Sequence, residues 1–298
     1  MTHGSKLLDY ASLVKFEHTV FALPFALTGL LLANPMPALP QVETVIWVLL
    51  AMIGGRTYAM GLNRIADAKF DALNPRTASR EIPSGKVSIL EAWGLTLVAL
   101  GVMMFAVFQL PLLCQQLLPL AILILTLYSY TKRFTSLCHL VLGLALGASA
   151  IGGWLAQTGD WQGGLSLGFG VGVALWVMGF DIIYACQDAD FDTAHQLYSI
   201  PVKIGVASAL RLSRWIHGAS VLALLAFAWQ YSHSAYGFIG WGFCLALSVM
   251  SVLLVLEHRL VSADDLSRVN QAFFTLNGQI SIGFFVLVLL ERLVLLYV

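Results

Sequence analysis

The sequence has too few charged residues to cover a water-soluble surface. Asp, Glu, Lys and Arg make up 11% of the 298 residues, whereas soluble domains carry about 25%. Hydrophobic residues account for 59%, and they come in runs long enough to cross a bilayer. A soluble globular protein is therefore excluded. The composition indicates an integral membrane protein surrounded by the lipid bilayer.

Net charge and cysteine are scarce as well. The 16 Lys and Arg residues balance 16 Asp and Glu residues, so the composition offers no general surface for nucleic acid. The four cysteines form no CxxC pair, and the seven histidines form no HxxxH or HExxH pair. These absences argue against disulfide, zinc and haem chemistry. Nothing in the pattern indicates an obligate protein partner.

Nine apolar runs have the length of a membrane-spanning helix, which is about 20 residues for a hydrocarbon layer of about 30 Å. Because they follow one another with short connections, we expect one all-α bundle of nine transmembrane helices. The runs cover residues 19–33, 42–62, 90–110, 112–130, 137–157, 163–185, 209–229, 236–256 and 272–290.

Lys and Arg fall almost wholly on one side of this bundle. All but two of the 16, Arg56 and Arg292, lie in the N-terminal segment or on the side of the connections that follow even-numbered spans, with Arg211 and Arg214 at the start of the seventh run. By the positive-inside rule, that side and the N-terminus face the cytoplasm. We therefore expect a multi-pass protein of a bacterial-type inner or plasma membrane, with its polar chemistry at a cytoplasmic mouth.

Two segments at this mouth carry acid pairs with the spacing DxxxD. Asp67 and Asp71 follow Asn63 at the end of the second span, and Asp188 and Asp192 end the sixth. On a helix, a spacing of four places both carboxylates on one face, an arrangement that ordinary solvated helix ends avoid. Oxygen ligands without nearby His or Cys select Mg²⁺, which is commonly shared with substrate phosphates. The pattern predicts a site for Mg²⁺ and a diphosphate.

Basic residues on the same side fit that ligand. Lys132 and Arg133 close the fourth span, and Arg76 and Arg80 follow the first acidic pair. Taken alone, Lys132 and Arg133 would be topology anchors of the kind found at every cytoplasmic boundary. Beside two acidic pairs, we expect all four to contact the diphosphate.

Arg56 lies about two turns inside the second span, where an unpaired cation is costly and normally functional. It precedes Asn63 by seven residues, so both lie on nearly the same helical face. Either Arg56 forms a structural ion pair with an acid such as Asp181, or it clamps a substrate carboxylate at the bottom of the mouth.

Three segments closely resemble the UbiA superfamily of intramembrane aromatic prenyltransferases: NRIADAKFDALNPRTASREIPSGK (63–86), YSYTKRF (128–134) and DIIYACQDADFD (181–192). The early stretch FEHTVFALPFALTGLLLA (16–33) is also similar to the first helix of that family. The resemblance covers essentially the whole chain and implies one domain over residues 1–298, with nine helices around a central cavity capped by cytoplasmic loops. It further implies two Mg²⁺ bridged by a polyprenyl diphosphate, whose tail leaves toward lipid.

Carried over by position, the resemblance implies roles for named residues. Arg56 would bind the acceptor's carboxylate, and Lys132 and Arg133 would contact the diphosphate. The metal and diphosphate motif would comprise Asn63, Asp67, Asp71, Asp188 and Asp192. Many members follow the second motif with a Lys-x-Gly-x-Lys-Ser run, whereas residues 193–199 read TAHQLYS here. Lys203 or His195 would have to replace the missing charge.

The expected reaction is Mg²⁺-dependent transfer of a polyprenyl group to an aromatic carboxylic acid. The allylic C–O bond ionises and a phenol-activated ring carbon attacks the cation, with Tyr184 and Asp181 placed to contact the cation or the ring. Because Arg56 favours a carboxylated ring, 4-hydroxybenzoate in ubiquinone or plastoquinone synthesis is the first expectation. The alternative, suggested by residues 199–203, is a dihydroxynaphthoate in menaquinone synthesis. A membrane transporter, the alternative from another class, would place its polar site near the midplane.

Overall fold

A computed structural model describes residues 3–14, 19–236 and 239–297, and every regular element within them is helical. Short 3₁₀ turns at Gln162–Gly164 and Cys186–Asp188 and a π-helical turn at Gln271–Leu276 interrupt the α-helices. The α-helices are α1 (His3–Leu13), α2 (Thr19–Leu32), α3 (Val42–Leu73), α4 (Ile89–Val107), α5 (Leu112–Thr131), α6 (Cys138–Thr158), α7 (Leu165–Ala185), α8 (Ala189–Ala194), α9 (Ile200–Ile204), α10 (Val206–Ser232), α11 (Trp241–Leu260) and α12 (Asn277–Tyr297).

Nine of the described helices correspond to the nine predicted spans. Eight of them, α3 to α7 and α10 to α12, are long and apolar enough to cross a membrane, and α2 is a shorter apolar helix of 14 residues. Large apolar side chains such as Leu90 and Trp215 are about four-fifths exposed, as expected where lipid surrounds the bundle. The predicted all-α membrane fold is confirmed. Lys15 and residues 16–18 of the early similar stretch lie outside the described residues.

Small residues and aromatic rings hold the helices together. A Cβ added at Gly153 of α6 would meet the carbonyl oxygen of Ala26 on α2, so these backbones touch, as small residues allow in membranes. Next to this contact, the ring of Phe25 packs 4.9 Å from that of Trp176 and 5.4 Å from that of Phe284. The resulting aromatic core joins α2, α7 and α12 and leaves the space beside α3 and α5 open.

The helices that carry the two acidic motifs end differently. α3 continues to Leu73, well beyond the predicted end at residue 62, so the first motif lies on regular helix. α7 ends at Ala185 as predicted, but the second motif passes through a 3₁₀ turn into the short α8. Asp188 and Asp192 are therefore not stacked on one regular α-helix, in contrast to the expectation from their spacing.

α1 lies against the same end of the bundle. The Lys6 ammonium lies 2.9 Å from a carboxylate oxygen of Glu91 at the start of α4, and the Arg64 guanidinium of α3 donates to the carbonyl of Leu13 at 3.2 Å. The chain between α3 and α4, residues 74–88, is thereby held between α1 and the ends of the spanning helices.

Candidate active site

A cavity of about 940 Å³ lies between α3, α5, α6 and α7, near the upper end of the range for small-molecule sites. One end is polar and contains all twelve residues predicted to act in the site: Arg56, Asn63, Asp67, Asp71, Arg76, Arg80, Lys132, Arg133, Asp181, Tyr184, Asp188 and Asp192. The other end is apolar, with a lining that includes Met103, Val107, Leu117, Leu118 and Ile124. The cavity therefore has a charged mouth and an apolar interior.

The first acidic motif lines one wall of the mouth. The Asn63 amide donates to a carboxylate oxygen of Asp67 at 3.0 Å, one helical turn apart on α3. One turn further on, both carboxylate oxygens of Asp71 accept from Arg80, at 2.7 and 2.8 Å. The three acceptor-bearing side chains therefore form a row along one face of α3, as their spacing of four predicts.

The second acidic motif lies across the mouth. Asp188 accepts two hydrogen bonds from Arg76, at 2.9 and 2.7 Å, and a longer one of 3.4 Å from the Asn74 amide. This fork-to-fork geometry is the strong form of an Arg–carboxylate pair. Asp192 is almost fully buried and lies 2.7 Å from the Lys132 ammonium. Residues from three chain segments thus meet at the second acidic motif.

Each of the four motif carboxylates has a basic partner, because Arg133 also lies 3.4 Å from Asp67. Partial burial disfavours the charged forms of Arg76 and Lys132, but the facing carboxylates outweigh burial and raise the pKa of both. Among the described residues, no three His, Cys, Asp or Glu side chains converge as a metal-binding group. Like charges cannot gather without compensation, and here arginine and lysine supply it.

Arg56 lies deeper in the cavity, on the turns of α3 that precede Asn63. Its Nε has no hydrogen-bond partner within the described part of the chain, and Tyr128 on α5 is close enough to interact with it electrostatically. Asp181 bonds instead to His139, with 2.7 Å between Nδ1 and Oδ2. The alternative of an Arg56–Asp181 ion pair is therefore not what the structure shows.

Tyr184 contacts both a polar and an aromatic neighbour in the cavity lining. Its hydroxyl accepts from Arg76 at 3.1 Å, and its ring packs 4.1 Å from the ring of Phe273. The same arginine holds Asp188, so Tyr184 and Asp188 share a partner although the helix breaks between them. Tyr184 therefore lines the cavity with its hydroxyl held by Arg76 and its ring held by Phe273.

The polar end also includes residues that were not singled out from the sequence, among them Asn74, Tyr128 and His139. Asn74 directly follows α3, and Tyr128 precedes Lys132 by one helical turn. The positions of both residues next to the motifs could therefore have identified them from the sequence. His139 stands alone in an apolar run and gave no signal. The two residues considered as replacements for the missing basic run do not line the cavity, since Lys203 is exposed on α9 and His195 stacks on Phe191.

Comparison with known proteins places this architecture. The model of the UbiA prenyltransferase family matches residues 22–279. The 4-hydroxybenzoate octaprenyltransferases of Photobacterium profundum and Salmonella paratyphi B are both 28% identical, over 92% of this chain and 93% and 92% of theirs.

Solved structures agree. A UbiA homologue from Aeropyrum pernix K1 is 33% identical with a TM-score of 0.82, over 92% of this chain and 98% of that one. A UbiA homologue from Archaeoglobus fulgidus bound to GPP and Mg²⁺ is 17% identical with a TM-score of 0.74, over 97% and 100%, and shows the shared fold. With its two facing acidic motifs and membrane-embedded cavity, the chain belongs to the UbiA prenyltransferase family.

Proposed function

We propose that this prenyltransferase moves a polyprenyl group from polyprenyl diphosphate to the ring of 4-hydroxybenzoate, in quinone biosynthesis. The observation that carries the proposal is Arg56, a half-buried cation that lines the cavity and whose buried Nε has no partner among the described residues. Such a guanidinium is suited to bind a carboxylate in two-pronged fashion. The names of the two relatives at 28% identity support this acceptor. Membership of a prenyltransferase family leaves the transporter alternative without support.

The diphosphate belongs at the mouth. The donor set there consists of carboxylate and amide oxygens from Asn63, Asp67, Asp71, Asp188 and Asp192, which suits Mg²⁺, and the Archaeoglobus fulgidus homologue was solved with Mg²⁺ and GPP. Arg76, Arg80, Lys132 and Arg133 already lie against these carboxylates. When bound, two Mg²⁺ would supply charge that stabilises the departing diphosphate.

The protein's own groups then act on the reacting ends. The basic residues at the mouth exchange a carboxylate partner for phosphate oxygens and hold the leaving group. Arg56 fixes the acceptor carboxylate, so the phenol-activated ring lies between it and the mouth, where Tyr184 and Asp181 face the allylic cation. The apolar remainder of the cavity excludes water, which would otherwise capture that cation, and gives the prenyl chain a path toward lipid.

The same proposal covers topology. We place the mouth and the N-terminus on the cytoplasmic side of a bacterial-type membrane, and we treat the chain as one domain. The described basic residues of the connections support this, because they lie at the mouth end or beside it, as the positive-inside rule requires.

The acceptor is tested with paired substrates and paired variants. Purified protein with Mg²⁺ and a prenyl diphosphate is offered 4-hydroxybenzoate, its carboxamide analogue and a dihydroxynaphthoate, and products are identified by mass. We expect 4-hydroxybenzoate to be preferred over the amide, and Arg56→Leu to lose that preference by raising KM for the acid roughly 100-fold. Exclusive prenylation of the naphthoate would replace the proposed acceptor by its alternative, and an unchanged KM would remove Arg56 from the site.

Arg56→Lys is the matched control for charge. It keeps a cation in the cavity but loses the forked geometry, so an intermediate KM is expected. The KM for the prenyl diphosphate should be the same in wild type and both variants, because Arg56 lies below the mouth.

A further inference from the structure

His139 is an unexpected polar side chain in the wall of the cavity. It lies one residue inside the start of α6 and is 1% exposed. Its Nδ1 lies 2.7 Å from Oδ2 of Asp181 on α7, and its Nε2 lies 3.3 Å from the backbone nitrogen of Ile200 at the start of α9. Both ring nitrogens are therefore engaged, on opposite sides, by groups from two other chain segments.

These two contacts fix which nitrogen carries the proton. A backbone N–H can only donate, so Nε2 of His139 must accept from Ile200 with its lone pair. A neutral imidazole then carries its hydrogen on Nδ1 and donates it to Asp181. A protonated imidazolium would set its own Nε2–H against the N–H of Ile200. The geometry therefore selects the neutral Nδ1–H form, a state determined by the partner of the other nitrogen.

Asp181 is consequently held by one oxygen and free at the other. Oδ2 accepts from His139, while Oδ1 has no hydrogen-bond partner among the described residues, and Asp181 lines the cavity. Donation from a neutral group favours the ionised carboxylate and fixes its rotation without cancelling its charge. The result is a carboxylate oxygen without a partner in the described part of the chain, on a residue that lines the cavity.

We propose that His139 is a positioning residue that holds Asp181 as the proton acceptor of the prenyl-transfer step. The inference rests on the proposed function, because aromatic substitution requires a base. The allylic C–O bond breaks and its electron pair leaves with the diphosphate. A ring carbon of the acceptor then forms the new C–C bond. The proton on that carbon passes to Oδ1 of Asp181, and the C–H electron pair restores the aromatic ring. His139 touches neither substrate and keeps its own proton.

The segment after the second acidic motif connects the His139–Asp181 pair to the mouth. Its residue Tyr198 donates its backbone N–H to the carbonyl of Lys132 at 2.7 Å, and Ser199 caps α9 by accepting from the N–H of Val202. The next residue, Ile200, supplies the N–H that fixes His139. At the end of the stretch that lacks the family's basic run, the backbone of residues 198–200 therefore contacts both Lys132 and His139.

The test compares His139→Gln with His139→Leu. The glutamine amide can donate to Asp181 through nitrogen and accept from Ile200 through oxygen, whereas leucine can do neither. We expect His139→Leu to lower kcat about 100-fold, the size of a general-base effect, with the KM values for both substrates unchanged. His139→Gln should keep kcat within about threefold of wild type.

The same pair of changes at His258 serves as the control. His258 bonds through Nε2 to Nδ1 of His217 at 2.9 Å, away from the cavity lining, so both variants there should keep the wild-type kcat. Wild-type kcat in His139→Leu overturns the positioning role, and so does equal loss in His139→Gln and His139→Leu.

A second readout does not depend on turnover. Nitrogen-15 NMR of histidine-labelled protein distinguishes the two neutral tautomers, and the His139 signals are identified by their loss in His139→Gln. We expect the Nδ1–H form for His139 and the opposite form for His217, whose Nε2 faces the carbonyl of Trp176 at 3.1 Å. An imidazolium or an Nε2–H form at His139 overturns the inference. A wild type that shows the expected tautomer but prenylates no aromatic acid overturns the proposed function and, with it, the proton-acceptor step.

Discussion

Asp188 shows how much of the mouth depends on single side chains. It accepts two hydrogen bonds from Arg76 and one from Asn74, while Arg76 also reaches the hydroxyl of Tyr184. Asp188 therefore positions Arg76 and Asn74 directly and Tyr184 through Arg76. It also belongs to the proposed metal and diphosphate site. Removing its charge affects the ligand site and the position of Arg76 together.

Asp188→Asn is expected to lower kcat by at least about 100-fold, the order lost when one charge-stabilising group is removed. The protein should still fold, because Arg76 is one-third exposed and can turn to water. The measurement is a steady-state rate with thermal unfolding of the same sample. Asp264→Asn, an exposed acid beyond α11, is the control and should retain full activity. Wild-type turnover in Asp188→Asn would contradict the role given to the second motif.

At the scale of elements, helix contacts decide where the cavity can be. α6 packs on α2 through Gly153 and on α7 through Gly147, where an added Cβ would meet backbone or side-chain atoms of the neighbour. Gly152 lies beside Gly153 on the same helix, and a Cβ there would meet nothing within 4 Å. Substituting each of these two adjacent glycines in turn therefore separates the effect of helix packing from the effect of helix propensity.

Gly153→Ala is expected to destabilise the protein by about 1–3 kcal/mol, the usual cost of overpacking a tight contact, because the obstructing atom is the backbone carbonyl of Ala26. Gly152→Ala should be neutral or stabilise by up to about 1 kcal/mol, since alanine is the better helix former. Thermal unfolding in detergent compares them. Equal effects of the two substitutions would show that α2 and α6 are not in close contact.

At the scale of the whole molecule, the one-sided distribution of Lys and Arg makes orientation a testable property. In a background without the four native cysteines, Ser84→Cys lies in the connection between α3 and α4, and His233→Cys lies at the opposite end of the bundle after α10. We expect an impermeant thiol reagent to label position 233 in intact cells and position 84 only in inverted vesicles. The reverse pattern would contradict the cytoplasmic placement of the mouth.

Much of this architecture was predictable because it depends only on the spacing of residues along the chain. Bilayer thickness sets the length of each apolar run, and the spacing of Asn63, Asp67 and Asp71 sets their shared helical face. The family resemblance rested on the same motifs, and the family match confirms it. These features need no knowledge of which helices are neighbours.

Features that depend on neighbouring segments were not predictable. One of the two alternatives for Arg56 paired it with Asp181, but the packing of α6 on α7 gives Asp181 His139 as its partner instead. The 3₁₀ turn at Cys186–Asp188 contains no glycine or proline that would indicate a break in the helix. The second motif was therefore expected on one regular helix. The pairing of Arg76 with Asp188, more than 100 residues apart in sequence, follows only from the folded chain.

One measurement tests the chemistry at the mouth and in the cavity together. Wild-type protein in lipid is incubated with a polyprenyl diphosphate and 4-hydroxybenzoate, with Mg²⁺ or with EDTA, and the product is identified by mass. We expect a carbon-prenylated 4-hydroxybenzoate that forms with Mg²⁺ and disappears with EDTA, because we propose that the motif carboxylates hold the diphosphate together with Mg²⁺. Product formation that is unchanged by EDTA, or no prenylated acid under any condition, would contradict this proposal.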